Sequence, residues 1–157
     1  MSKFHVETLR IDPTLKFEAQ ALRHLWQYWN RKRGERAMPG RPDIEPLELK
    51  PHLGRLVLAD VVRGGPETRF RYRLIGTALT DLVGRDATGK FLDDLYGVNY
   101  EFMIVAYRWV AANRRPLRVT GDLRHAQREW VHIESLDLPL SRDGETVDMI
   151  LTRSVYS

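Results

Sequence analysis

The sequence predicts an α+β domain with an antiparallel sheet, and three observations carry that prediction. Short β-branched or alternating runs recur between turn signals. A helical stretch separates the first two runs from the last three. One amphipathic helix precedes them all, set off by a proline-rich segment. At 157 residues the chain fits one domain with room for a real core.

The leading helix is predicted from Pro13-Thr14 to about Arg33. Leu15, Leu22, Leu25, Trp26 and Trp29 fall at helical spacings and form an apolar stripe. Arg31, Lys32 and Arg33 complement the helix dipole at its end, and Gly34 stops it. Residues 38–54, MPGRPDIEPLELKPHLG, carry four prolines and two glycines, so they read as a linker with at most one helical turn. The chain accordingly divides into a helix and linker over 1–53 and a core domain over 54–157.

From Arg55, RLVLADVV reads as a strand ended by Gly64-Gly65-Pro66. TRFRYRLIG alternates, with Phe70, Tyr72 and Leu74 on one side and Arg69, Arg71 and Arg73 on the other. Two short helices follow, in TALTDLVG and KFLDDLYG, and then a longer one over 98–114. Three strands close the chain, Leu117 to Arg124, Glu129 to Leu140 and Thr146 to Tyr156, the last two joined by the Asp-Gly turn of SRDGE.

Composition narrows the chemistry. Hydrophobic residues at 43% and charged residues at 29% are ordinary globular usage. No apolar run is long enough to span a bilayer, and MSKFHVETLRIDP lacks a signal-peptide core, so a cytoplasmic protein is expected. Cysteine is absent, which removes disulfides, thiolate metal sites and a cysteine nucleophile. The histidines at 5, 24, 52, 125 and 132 are scattered, and no metal site is expected. Ser135 and His132 lie three apart on a strand, facing opposite ways, and the Gly84–Lys90 stretch lacks phosphate-loop spacing; no enzyme is expected. His132 reads either as a pH-sensitive pocket group or as a partly exposed strand histidine beside Glu134, the second being preferred. The net charge is +4, with the excess concentrated in residues 31–41. The Arg69, Arg71 and Arg73 stripe fits an anionic partner or a solvated face with Asp60 and Asp148 nearby; the solvated face is preferred.

The order of two strands, helices and three strands resembles the PAS sensor fold. Local wording resembles small bacterial single-domain PAS proteins of alphaproteobacterial type. The segments are Trp26-Gln27-Tyr28-Trp29 with Arg31 to Arg33, RYRLIGT at 71–77, GRDATGK at 84–90 and PLSRDG at 139–144. The resemblance spans residues 15 to 157 and implies a five-stranded antiparallel sheet with helices over one face.

It also implies a sensory or adaptor domain that holds a small apolar ligand between sheet and helices. Strand candidates for lining that cavity are Phe70, Tyr72, Leu74, Leu117, Val119 and Leu123; helix candidates are Leu79, Leu82, Phe102, Ala106 and Trp109. A flavin–cysteine adduct is excluded, and haem is disfavoured because residues 98–114 contain no histidine where such domains usually place the ligand. The resemblance further implies a signalling-protein partner and a homodimer formed through the leading helix, by Leu22, Leu25, Trp26 and Trp29; packing of that face on the open side of the chain's own sheet is the alternative. A basic nucleic-acid or nucleotide-binding module and a small enzyme with an unrecognised site are the alternatives.

Overall fold

In a computed structural model, residues 4–77, 87–95, 101–125 and 130–157 are described. In chain order the elements are β1 (Phe4–Asp12), α1 (Gln20–Arg33), two 3-10 turns (Arg41–Asp43 and Pro46–His52), β2 (Leu56–Val62) and β3 (Arg69–Ile75). These are followed by α2 (Leu92–Leu95), α3 (Glu101–Asn113), β4 (Leu117–His125), β5 (Trp130–Leu140) and β6 (Met149–Tyr156). Neighbouring strands pair antiparallel in the order β1-β4-β5-β6-β2-β3.

The sheet thus has six strands where five were expected. The added one, β1, is an edge strand that exists by pairing with β4, Ile11 opposite Val119 and Asp12 opposite Arg118. Its own stretch mixes charge into every second or third residue, so only the distant partner defines it as a strand.

Residues directly opposite across a ladder share a face. The register therefore sorts the sheet into two sides. The inner face carries Phe70, Tyr72, Ala59, Ile150, Thr152, Asp137, Ser135, Leu117 and Val119. Helix α3 lies over it, and the ring of Tyr107 meets Phe70 edge-on at 5.4 Å. The outer face carries Leu56, Leu58, Leu151, Arg153, Leu136, Leu138 and Glu134. Helix α1 packs there on β5 and β6, and the Trp29 indole Nε1 donates to the Pro139 carbonyl at 2.8 Å. Leu22, Leu25, Leu136 and Leu138 are fully buried in one core shared by the residues before Gly54 and those after it.

Helix α1 starts at Gln20, several residues later than its sequence predicts. Leu15 has φ of 59°, a left-handed conformation that no helix continues through. The backbone amides of Glu18 and Ala19 are turned instead toward Glu134, described below. At the far end Arg31, Lys32 and Arg33 occupy the last turn and Gly34 closes it, as expected.

One crossing is fixed by an absent side chain. A Cβ on Gly76 would lie 2.2 Å from the Gly54 carbonyl oxygen and 2.3 Å from its carbon. Both are backbone atoms that have no rotamer to move. Gly76→Ala is expected to destabilise the domain by about 1–3 kcal/mol, measured by urea denaturation, by forcing β3 away from the turn before β2.

Candidate functional site

The inner face should be apolar if it only packed against α3. It carries instead a chain of polar groups contributed by three elements. Thr152 Oγ1 on β6 donates to Asp137 Oδ1 on β5 at 2.7 Å, and the Tyr107 hydroxyl on α3 lies 3.0 Å from Thr152 Oγ1. A threonine hydroxyl has one proton, so with Thr152 donating to Asp137 the Tyr107 O–H donates to Thr152. Asp137 is 3% exposed, Thr152 6% and Tyr107 1%. Ser135 and Ser154, on the same face, join their hydroxyls at 2.6 Å.

Burial pushes the Asp137 carboxyl up to about 7, against the opposing pull of the Thr152 hydrogen bond. Near neutral pH this side chain is therefore divided between its acid and carboxylate forms. Protonated, it gains an O–H donor while its other oxygen still accepts from Thr152, so the group can meet either a donor or an acceptor. Such a group fits recognition of a ligand bearing one polar function, held against Leu117 and Val119 on the neighbouring strand.

The outer face holds two further polar clusters beneath and beside α1. Glu134 accepts from the amides of Glu18 and Ala19, both at 2.8 Å, and from Arg118 Nε at 2.7 Å. Arg118 also reaches Asp12 of β1 at 2.9 Å. These hydrogen bonds hold the Glu134 carboxyl below its ordinary range despite burial. Close by, His24 Nδ1 lies 2.9 Å from His52 Nε2, and His52 Nδ1 contacts Arg153 Nη1. Burial, then the neighbouring Arg153 and His24, hold His52 down to about 4, so its ring is neutral.

The predicted site residues divide. Phe70, Tyr72, Ala106, Leu117 and Val119 are buried, and Trp109 is partly buried against the same core. Leu74 is not among them. It pairs with Leu58, whereas Tyr72 pairs with Ala59, so Arg73 is an extra residue in β3. The bulge turns Leu74 to the outer face, where it is 52% exposed, and Ile75 takes the inner position opposite Val57. Leu79 and Leu82, and the side chains of Phe102 and Leu123, lie outside the described residues.

Of the two coverings expected for the apolar face of the leading helix, the chain's own sheet takes most of it. Leu22, Leu25 and Trp29 are buried against that sheet, and Trp26 is half-buried beside Phe17. The arginine stripe is ion-paired: Arg69 with Asp93 and Asp94, Arg71 and Arg73 with Asp60. Asp148, expected to share in this, instead accepts from the Arg142 amide at 2.6 Å. His132 is half-exposed and pairs with Asp122 at 3.1 Å rather than with Glu134. Two open surface grooves of about 580 and 500 Å³ flank the β2–β3 turn and share Arg63 and Glu67. None of the predicted lining residues among those described borders either.

The sequence alone did not point to Asp137, Thr152, Arg153 or the His24–His52 pair, and it gave Glu134 only as a neighbour of His132. One signal was available. In LPL and its flanks, Leu136, Leu138 and Leu140 alternate with Ser135 and Asp137, so a strand leucine-rich on one face was polar on the other.

A family model described as PAS domain matches residues 17–153. Among solved structures, that of an RNA-binding light-oxygen-voltage receptor superposes with a TM-score of 0.52 at 14% identity. The alignment covers 94% of this chain and 38% of that one, so this chain spans well under half of the receptor's length. At that identity the likeness is one of fold. No curated protein matches in sequence.

Proposed function

The chain belongs to the PAS domain family, and from that premise we propose that it is a sensory domain that binds a small molecule on the inner sheet face. The observation that carries this is the buried Tyr107–Thr152–Asp137 chain. A carboxyl buried in an apolar core with no cation beside it among the described residues is costly even when hydrogen-bonded, and a packing role alone would favour a leucine there. The ligand is mostly apolar, with one hydrogen-bonding group directed at Asp137. With no cysteine in the sequence, retention is non-covalent with respect to a thiol.

The route outward runs through β5 and β6. These strands carry Asp137 and Thr152 on the inner face and Glu134 and Arg153, one to three residues away, on the outer face. A ligand that shifts the inner residues acts on the groups that seat α1, and α1 passes occupancy to a protein partner. The proposed role is binding rather than catalysis: Ser135 faces inward while His132 faces outward, so that pair makes no nucleophile and base. Among the described residues no helix is long and apolar enough to cross a membrane.

Native mass spectrometry of protein purified from its own host, beside a denatured sample, tests the reading. Wild type is expected to retain a small molecule that Asp137→Leu loses, with Tyr107→Phe intermediate. The same spectra give the subunit count. Wild type without retained mass, or equal retention by Asp137→Leu, would overturn the reading.

A further inference from the structure

Arg153 lies on the outer face, between Leu56 and Leu136, and is 6% exposed. A guanidinium stays charged in any protein environment, so a permanent cation sits in this core. Among the described residues no carboxylate lies within ion-pair distance of it, and the hydrogen bond it makes there is from Nη1 to His52 Nδ1. Nε is buried without any partner.

His52 does not neutralise the cation. A guanidinium has no lone pair to offer, so His52 Nδ1 accepts from it, which leaves the imidazole proton on Nε2, donated to His24 Nδ1. Both ring nitrogens are thereby occupied, with the ring neutral. Arg55, on the turn that follows the second 3-10 segment, directly precedes Leu56, the residue opposite Arg153 across the β2–β6 ladder. Burial first, and then this second positive charge, disfavour the protonated form of Arg153. Two guanidiniums and a buried orphan donor, with no carboxylate of the described residues within ion-pair distance of Arg153, describe half of an ion-binding site.

We propose that Arg153 and Arg55 hold an oxyanion, the carboxylate or phosphate group of a small molecule, at the turn between the second 3-10 segment and β2. Arg153 Nε is its buried donor and Arg55 its solvent-side clamp. His52 fixes the orientation of Arg153 and, through His24, reports the site to α1. This site lies on the opposite face from Asp137 and stands whether or not the inner face binds a ligand.

The test uses the full chain with sodium phosphate and sodium acetate as separate probes, against chloride at matched ionic strength. Arginine Nε–H resonances are followed in ¹⁵N-labelled protein alongside the thermal midpoint. One oxyanion is expected to shift the Arg153 Nε–H resonance in a saturable way and to raise the midpoint by roughly 2–4 °C. Phosphate acting alone marks a phosphate site, and acetate acting alone a carboxylate site. Arg153→Met is expected to abolish both responses. Should that variant fail to fold, Arg55→Gln, at an exposed residue, is expected to weaken binding about tenfold while leaving the fold intact. No saturable shift with either probe, or an equal response in Arg55→Gln, would overturn the proposal.

Discussion

Replacing Glu134 by alanine is expected to cost about 3–5 kcal/mol in urea denaturation, the largest effect of any single substitution considered. The carboxylate is 4% exposed and joins three parts of the fold at once. It accepts the two amides that precede α1, so it caps a helix whose own N-cap residue, Ala19, supplies no side-chain acceptor. It also pairs with Arg118, which holds Asp12 at the sheet edge. Removing it leaves Arg118 with Asp12 and the more distant Glu18, and leaves two amide donors without an acceptor. Glu134→Gln keeps one acceptor oxygen and is expected to lose about half as much, while Asp12→Asn, at a partly exposed pair, loses about 1 kcal/mol or less. Hydrogen exchange should localise the damage. The amides of Glu18 and Ala19 and the first turn of α1 lose protection first, with the β2–β3 hairpin unchanged. A loss below about 1 kcal/mol for Glu134→Ala would show that α1 is held by its apolar face alone.

The second large effect is in pH dependence, where two buried groups oppose each other. His52 is held down to about 4 from an ordinary 6.5, so the unfolded chain takes up its proton first. Its contribution is fully present above pH 6.5 and is lost as pH falls through 4, about 3 kcal/mol across the window. Asp137 is raised to about 7 from 3.8, so the native state keeps its proton longer. Its contribution is fully present below pH 3.8 and is lost as pH rises through 7, about 4 kcal/mol in all. Between pH 4.5 and 6.5 the two slopes nearly cancel, and wild-type stability is expected to stay almost flat. Single substitutions unmask each slope. Asp137→Asn should gain stability with rising pH across this range, and His52→Gln should lose it. Chemical denaturation at several pH values reads both. Parallel profiles for the two variants would show that neither group titrates as its surroundings dictate.

The parts of this fold that were legible in the sequence are those set by local pattern. The alternation in β3, the Asp-Gly turn before β6 and the cationic end of α1 each follow from a few neighbouring residues. Asp143 illustrates this: its carboxylate accepts from Glu145 N and Thr146 N, both at 2.8 Å, and fixes the turn its own sequence announces. What escaped depends on partners far away. β1 is a strand because β4 is beside it. α1 starts late because Glu134, over a hundred residues on, takes the amides that would have continued it backward. Leu74 looked like a lining residue because strict alternation was assumed across a bulge that only the pairing with β2 reveals.

The candidate site was less legible still. Apolar residues of the inner face could be picked out, yet as generic core. Asp137 stood in the sequence between two leucines, and its meaning depends on Thr152 and Tyr107 meeting it from two other elements. His24 and His52 were read as scattered because 28 residues separate them; the fold brings their rings to 5.2 Å.

The central claim, that a small molecule binds on the inner sheet face against Asp137, is tested most directly by methyl NMR. Protein carrying labelled leucine, isoleucine, valine and alanine methyls is titrated with the molecule released by denaturing a host-purified sample. The account predicts saturable shifts at Leu117, Val119, Ile150 and Ala106, absent in Asp137→Leu, with Leu22, Leu25 and Leu138 first affected only as α1 responds. A sample that releases no molecule, or shifts confined to the residues beneath α1, would contradict it.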